Sequence, residues 1–159
     1  MNKIESEIRD ASQWIVKGFQ SENLLLDFSL FSLKVVDEFI DSNSENGKAK
    51  EGSILSRNRG QILFALGCYL GETIEKNVPG IKWQINEIDP QSHINATLIF
   101  PNGTKLHPIQ RCLNRFMNGA EESIYSYGLV AITELNNDNY WTKENLKDTN
   151  VQKKPWWKF

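Results

Sequence analysis

Residues 53–85 read SILSRNRGQILFALGCYLGETIEKNVPGIKWQI, and the hydrophobic period changes inside that stretch. Leu55, Ile62, Leu66, Leu70 and Ile74 recur at helical steps, so the spacing predicts a long helix from Ser53 to about Asn77. Pro79-Gly80 ends it, because proline lacks a backbone donor and pushes the preceding residue out of helical conformation. Ile81, Trp83 and Ile85 then alternate with Lys82, Gln84 and Asn86, the period of two that a strand with one buried face requires.

Upstream, Ile4, Ile8, Ala11, Ile15 and Phe19 form the stripe of a first amphipathic helix ending near Gly18, with Trp14 beside it. Leu24, Phe28, Phe31, Val35 and Phe39 repeat the pattern and predict a second helix that stops near Asp41. Residues 42–52 (SNSENGKAKEG) are polar with two glycines and no apolar period, and are expected to be an exposed loop.

Downstream, Ile94, Ala96, Leu98 and Phe100 predict a second strand, and Pro101-Asn102-Gly103-Thr104 a reversal into a short third strand at Lys105 to His107. Pro108 suits the first turn of a helix whose stripe is Ile109, Cys112, Leu113, Phe116 and Met117. Asn118-Gly119 interrupts it. A last helix starts near Glu121 and Glu122, with Ile124, Tyr127, Leu129, Ala131, Ile132 and Leu135 on its apolar side. The expected architecture is α+β: residues 1–135 form a single domain of helices packed on one face of a small antiparallel sheet. Residues 136–159 are a polar extension with an aromatic tail, and no internal repeat is visible.

With 159 residues, 40% hydrophobic and 24% charged, the chain is long enough for one core. A net charge of -2 lacks the basic excess that tracking phosphates requires, which disfavours nucleic acid. No apolar run reaches the roughly eighteen residues needed to cross a bilayer, so stable membrane insertion is not expected. Glu5, Glu7, Arg9, Asp10 and Lys17 interrupt the first apolar segment, unlike a secretory leader, and a cytoplasmic location is expected. Cys68 and Cys112 sit among apolar neighbours and read as small core hydrophobes rather than a disulfide.

Gly60, Gly67 and Gly71 share one face of the long helix, where each glycine costs about 0.5–1 kcal/mol relative to alanine. Close approach of another element is the favoured compensation; a backbone path for a ligand is the alternative. Glu72 beside them is a candidate to hold a partner's cation, bind a metal or act as a general acid or base. Arg111 and Arg115, at i and i+4, are candidates to clamp a carboxylate or phosphate; the plainer role is a solvated face or an ion pair with Glu72, Glu75 or Asp37. His93 and His107 lack a partner at ligand spacing, so neither a metal nor another cofactor is expected. No nucleophile elbow, P-loop, Rossmann glycine fingerprint or Cys-His pairing is present. Enzyme function stays open, with the balance against it. In the tail, Trp156, Trp157 and Phe159 lie among Lys153, Lys154 and Lys158, and Trp156 and Trp157 are binding candidates. Packing back onto the domain is the first expectation for them, a partner's groove the second and a membrane surface the third.

Gly67-Cys68-Tyr69-Leu70-Gly71-Glu72, the Trp83 strand, the turn between Pro101 and Pro108 and Asn118-Gly119-Ala120-Glu121-Glu122-Ser123 together resemble an uncharacterised bacterial domain family with a G-x-Y-x-G-E helical motif. The order of elements is similar from about Leu24 to Leu135; the first helix and the tail lie outside the resemblance. It implies one domain and no known activity. The function expected from the residues is a non-catalytic, cytoplasmic protein-binding domain of the immunity or toxin-neutralising type. The alternative is an enzyme or small-ligand sensor with a pocket near Gly67, Gly71 and Glu72, joined by Arg111 and Arg115.

Overall fold

The computed structural model describes residues 2–135. Its centre is the long helix, α3 (Ile54–Asn77), preceded by α1 (Lys3–Ser21), α2 (Ser32–Asn43) and a small hairpin of β1 (Ser44–Glu45) and β2 (Lys48–Ala49). After it come β3 (Lys82–Gln84), β4 (Thr97–Ile99), β5 (Lys105–Leu106), α4 (Pro108–Asn118) and α5 (Ile124–Val130), with a π-helical turn at Ala131–Leu135. The fold is α+β, as the change of period at Pro79-Gly80 predicts.

Every residue of α3 from Ala65 to Ile74 is buried, because the helix is surrounded rather than laid on a surface. α1 and α4 pack along it, and α5 packs on α2. The helix is bent at Asn58, whose φ of -146° and ψ of 47° leave the helical region. The sheet has the order β3-β4-β5, both pairs antiparallel. Trp83, Leu98 and Leu106 stand opposite one another in register and form its inner row. Lys82, Ile99 and Lys105 form the outer row, where both lysines are exposed. Period-two alternation in the sequence thus becomes one buried and one wet face.

Several elements differ from expectation. The second helix does not begin at Leu24 but at Ser32, because local hydrogen bonds capture the intervening backbone. Asp27 Oδ1 accepts from the Ser29 amide at 3.1 Å, and Phe28 is turned to φ 61°. The expected loop at 42–52 contains the β1-β2 hairpin, whose turn residues Asn46 and Gly47 have φ of 53° and 75°. Asparagine-glycine is the pair that a two-residue turn with positive φ at both positions favours. The stripe of α4 also shifts: Met117 is 62% exposed, while Arg111 and Arg115 are buried.

Candidate functional site

The glycine face of α3 is closed at two positions and open at one. A Cβ built on Gly67 would lie 2.5 Å from the Ile109 Cα of α4. At Gly71 it would overlap the Trp83 ring and come within 3.1 Å of Pro108. The backbone of α4 and the indole of β3 therefore occupy the volume that larger side chains would take, as the close-approach expectation requires. Gly60 departs from it, with nothing within 4 Å of the position a Cβ would fill.

Glu72 projects from the same helix and is only 3% exposed. Its nearest cation is Arg9 of α1, 3.6 Å away, and burial raises its carboxyl above the ordinary range against the pull of that guanidinium. Arg9 is shared: it also hydrogen-bonds Glu75 at 2.9 Å and Glu5 at 3.0 Å, and those bonds raise its own value. Neither Arg111 nor Arg115 is in this cluster.

The two arginines of α4 belong to separate buried networks. Arg111 pairs with Glu122 and lies over the Tyr127 ring, 4.5 Å from its centre. Burial pulls its guanidinium below the ordinary value despite that partner. Burial opposes the charge on Arg115 as well, but hydrogen bonds to Asp41 at 2.6 Å and Asp37 at 2.9 Å outweigh it and hold the group above its ordinary value. Asp37 does more than neutralise Arg115. Its two oxygens also accept from the Ile124 and Tyr125 amides at 2.9 Å and from Ser123 Oγ at 3.1 Å, capping α5 from a different helix. A buried charge is tolerated when its hydrogen bonds are met in this way. The expected Asp37 partner of Arg115 is thus in place, whereas Glu72 and Glu75 pair with Arg9.

His93 pairs with Glu7 of α1, and that bond lowers the Glu7 carboxyl. His107 is exposed at its edge, and desolvation together with Lys105 holds its imidazole below the ordinary value. Cys68 and Cys112 are free and buried, with thiols raised well beyond their ordinary range by desolvation. Among the described residues, no three histidines, cysteines or carboxylates converge as metal ligands. A cleft of about 190 Å³ between the hairpin and the end of α4 is lined by Asp41, Asn46, Gly47, Arg115 and Met117. It is smaller than the roughly 300–1,000 Å³ usual for small-molecule sites.

The feature that sequence reasoning missed is the segment between α1 and α2. Its backbone is fixed from outside: the Phe28 amide donates to the Tyr69 hydroxyl of α3 at 2.9 Å, and its carbonyl accepts from Asn77 Nδ2 at 3.0 Å. The Ser32 hydroxyl joins the same Tyr69 oxygen. Leu26 is turned into the core, while Leu25 is 67% and Phe31 68% exposed and Leu24 is also outside. Lys34 lies over the rings of both Phe31 and Tyr125, at 5.2 and 4.6 Å from their centres. The Asp27-Phe28-Ser29 sequence, a turn former interrupting a helical stripe, is the signal that points to it. Trp156 and Trp157 lie outside the described residues. No helix among the described residues is long and apolar enough to cross a membrane. The chain matches no family model, and no curated protein or solved structure is significantly similar to it.

Proposed function

We propose that this domain is a non-catalytic protein-binding module, of the immunity or toxin-neutralising type, acting in the bacterial cytoplasm. One observation carries the reading: Leu24, Leu25 and Phe31 are held outward by a rigidly bonded, non-helical segment instead of being folded into the core. Leaving large apolar side chains in water costs the burial they forgo, about 25 cal/mol per Å² of apolar surface. A bulky residue at positive φ adds backbone strain, which concentrates at recognition and active sites. A protein partner that covers the segment recovers the burial, and aromatic anchors such as Phe31 are the side chains that dominate such contacts. Around the glycine face the same elements pack tightly, and the arginines of α4 are engaged with acids of their own chain.

The test compares the full chain with a Leu25→Asp/Phe31→Asp variant as bait in an extract of the native cell. One protein recovered in stoichiometric amount by the wild type and lost with the variant supports the reading. Equal recovery by both, or recovery of none by the wild type, overturns it. The immunity aspect has its own readout: the captured protein should arrest growth when expressed alone, and co-expression of the wild-type chain should relieve the arrest. The resemblance to a bacterial domain family with the G-x-Y-x-G-E motif supplies no activity.

A further inference from the structure

The segment between α1 and α2 sets charges of both signs around its apolar centre. Leu24, Leu25 and Phe31 are exposed there, Phe31 to 68%. Glu22 and Asp27 are exposed acids of the same segment, and hydrogen bonds with Ser29 hold the Asp27 carboxyl below the ordinary range and so ionised at neutral pH. Two cations are laid on its rings. The Lys34 ammonium of α2 is 5.2 Å from the centre of Phe31 and 4.6 Å from that of Tyr125. The Lys76 ammonium, in the last turn of α3, is 4.9 Å from the centre of Phe28. A lysine held in this way lays its methylene stem along apolar surface and keeps its charge at the edge. Glu38 is the next exposed charge along α2, beyond Lys34 and about 10 Å along the helix from Phe31.

That arrangement is self-complementary. A two-fold axis through the apolar centre sets the patch against its own image, so the contacts across it are reciprocal. A rim of a single sign would repel that image, because like charges would meet across the axis. Among the described residues, Glu22 and Asp27 stand against Lys34 and Lys76 in equal number, so the carboxylates of one copy can face the ammonium groups of the other. A formal charge of -2 on the whole chain adds little long-range repulsion between copies. The backbone of the segment is already fixed by Tyr69 and Asn77, so association orders little that was free beforehand.

We infer that the surface of residues 24–31 is the contact face of a two-fold symmetric homodimer, in which Leu24, Leu25 and Phe31 of one copy pack on those of the other and the acids of each rim face the lysines of its counterpart. The inference rests on the reading of this segment as a recognition surface, and makes a second copy of the chain one of its occupants. Both occupants need the same face, so the dimer and the complex with a foreign protein exclude one another. A patch of this size is at the small end of specific interfaces, and dissociation in roughly the micromolar range is expected.

The test is sedimentation velocity of the full chain from low micromolar to several hundred micromolar concentration, where a monomer–dimer equilibrium is expected. Leu25→Asp/Phe31→Asp should weaken it by at least about tenfold, with helix content by circular dichroism unchanged. Lys34→Glu/Lys76→Glu leaves a rim of acids only, and Glu22→Lys/Asp27→Asn leaves one of cations only while keeping an acceptor for the Ser29 amide. Each charge variant alone should be monomeric, and the two mixed should form a heterodimer, a rescue that misfolded chains would not show. A monomer over the whole range overturns the inference, as does a dimer that Leu25→Asp/Phe31→Asp leaves intact or a pair of charge variants that stay apart when mixed. Capture from the native extract decides the recognition reading separately. A monomeric chain that still captures a foreign protein through Leu25 and Phe31 overturns the dimer and leaves that reading standing. A dimeric chain that captures only its own copies supports the dimer and overturns the foreign partner.

Discussion

The two sides of α3 solve opposite problems with residues two positions apart. Gly67 and Gly71 remove side chains so that Ile109 and Trp83 come up against the helix backbone. Tyr69, turned roughly to the opposite side, adds a long side chain that reaches out and holds Phe28 in a conformation its own sequence does not favour. One side is closed by what is missing and the other is propped open by what is present. The lesson is that a central helix serves both as the floor of a core and as a bracket for a surface, and that each role depends on a different kind of residue.

Four substitutions break or sharpen that contrast. The largest effect is expected from Gly67→Ala, because the obstructing atom is Ile109 backbone and cannot rotate away. A loss of about 3 kcal/mol in urea denaturation is expected, at the upper end of overpacking costs; retention of wild-type stability would show that α4 is not pressed against the helix. Next comes Tyr69→Phe, which leaves the Phe28 amide without its acceptor and should cost about 1–2 kcal/mol. Its signature is faster hydrogen exchange at Phe28 with little change around Ile109. Gly60→Ala carries the opposite sign: its site is empty, so relief of helical glycine should add roughly 0.5–1 kcal/mol to stability.

The smallest effect is a pH slope at Glu72. Its folded carboxyl is raised by burial, so its contribution to stability is fully present below the unfolded value and is lost as pH rises through the folded one. Glu72→Gln therefore gains stability over the wild type at pH 7 and loses that advantage towards pH 4, as urea midpoints at the two pH values would show. A constant difference between wild type and variant would contradict the sheltered carboxyl.

Local pattern carried the architecture because each period belongs to a contiguous run: the stripe of α3, the alternation at Trp83 and the turn at Asn102-Gly103 all survive in the folded chain. The start of α2 was not legible. Leu24, Phe28 and Phe31 have helical spacing, and the competing bonds come from Tyr69 and Asn77 far along the sequence. The β1-β2 hairpin was written in Asn46-Gly47, but its flanking residues lack the apolar alternation that marks a buried strand. At the candidate site, the i and i+4 spacing of Arg111 and Arg115 placed them on one face. That this face is buried depends on Glu122, Asp37 and Asp41 arriving from other elements, which spacing within α4 does not encode. Arg9, the cation nearest Glu72, was likewise invisible because it lies on another helix.

The carboxylate of Asp37 has a consequence for how the molecule comes apart. It ties α2 to donors 78 to 88 positions later in the chain, on α4 and at the start of α5. A helix as short as α5 does not persist without such support. The amides of Ile124 and Tyr125 should accordingly exchange with solvent deuterium only when the whole body opens, giving a seven-residue helix the protection of the interior.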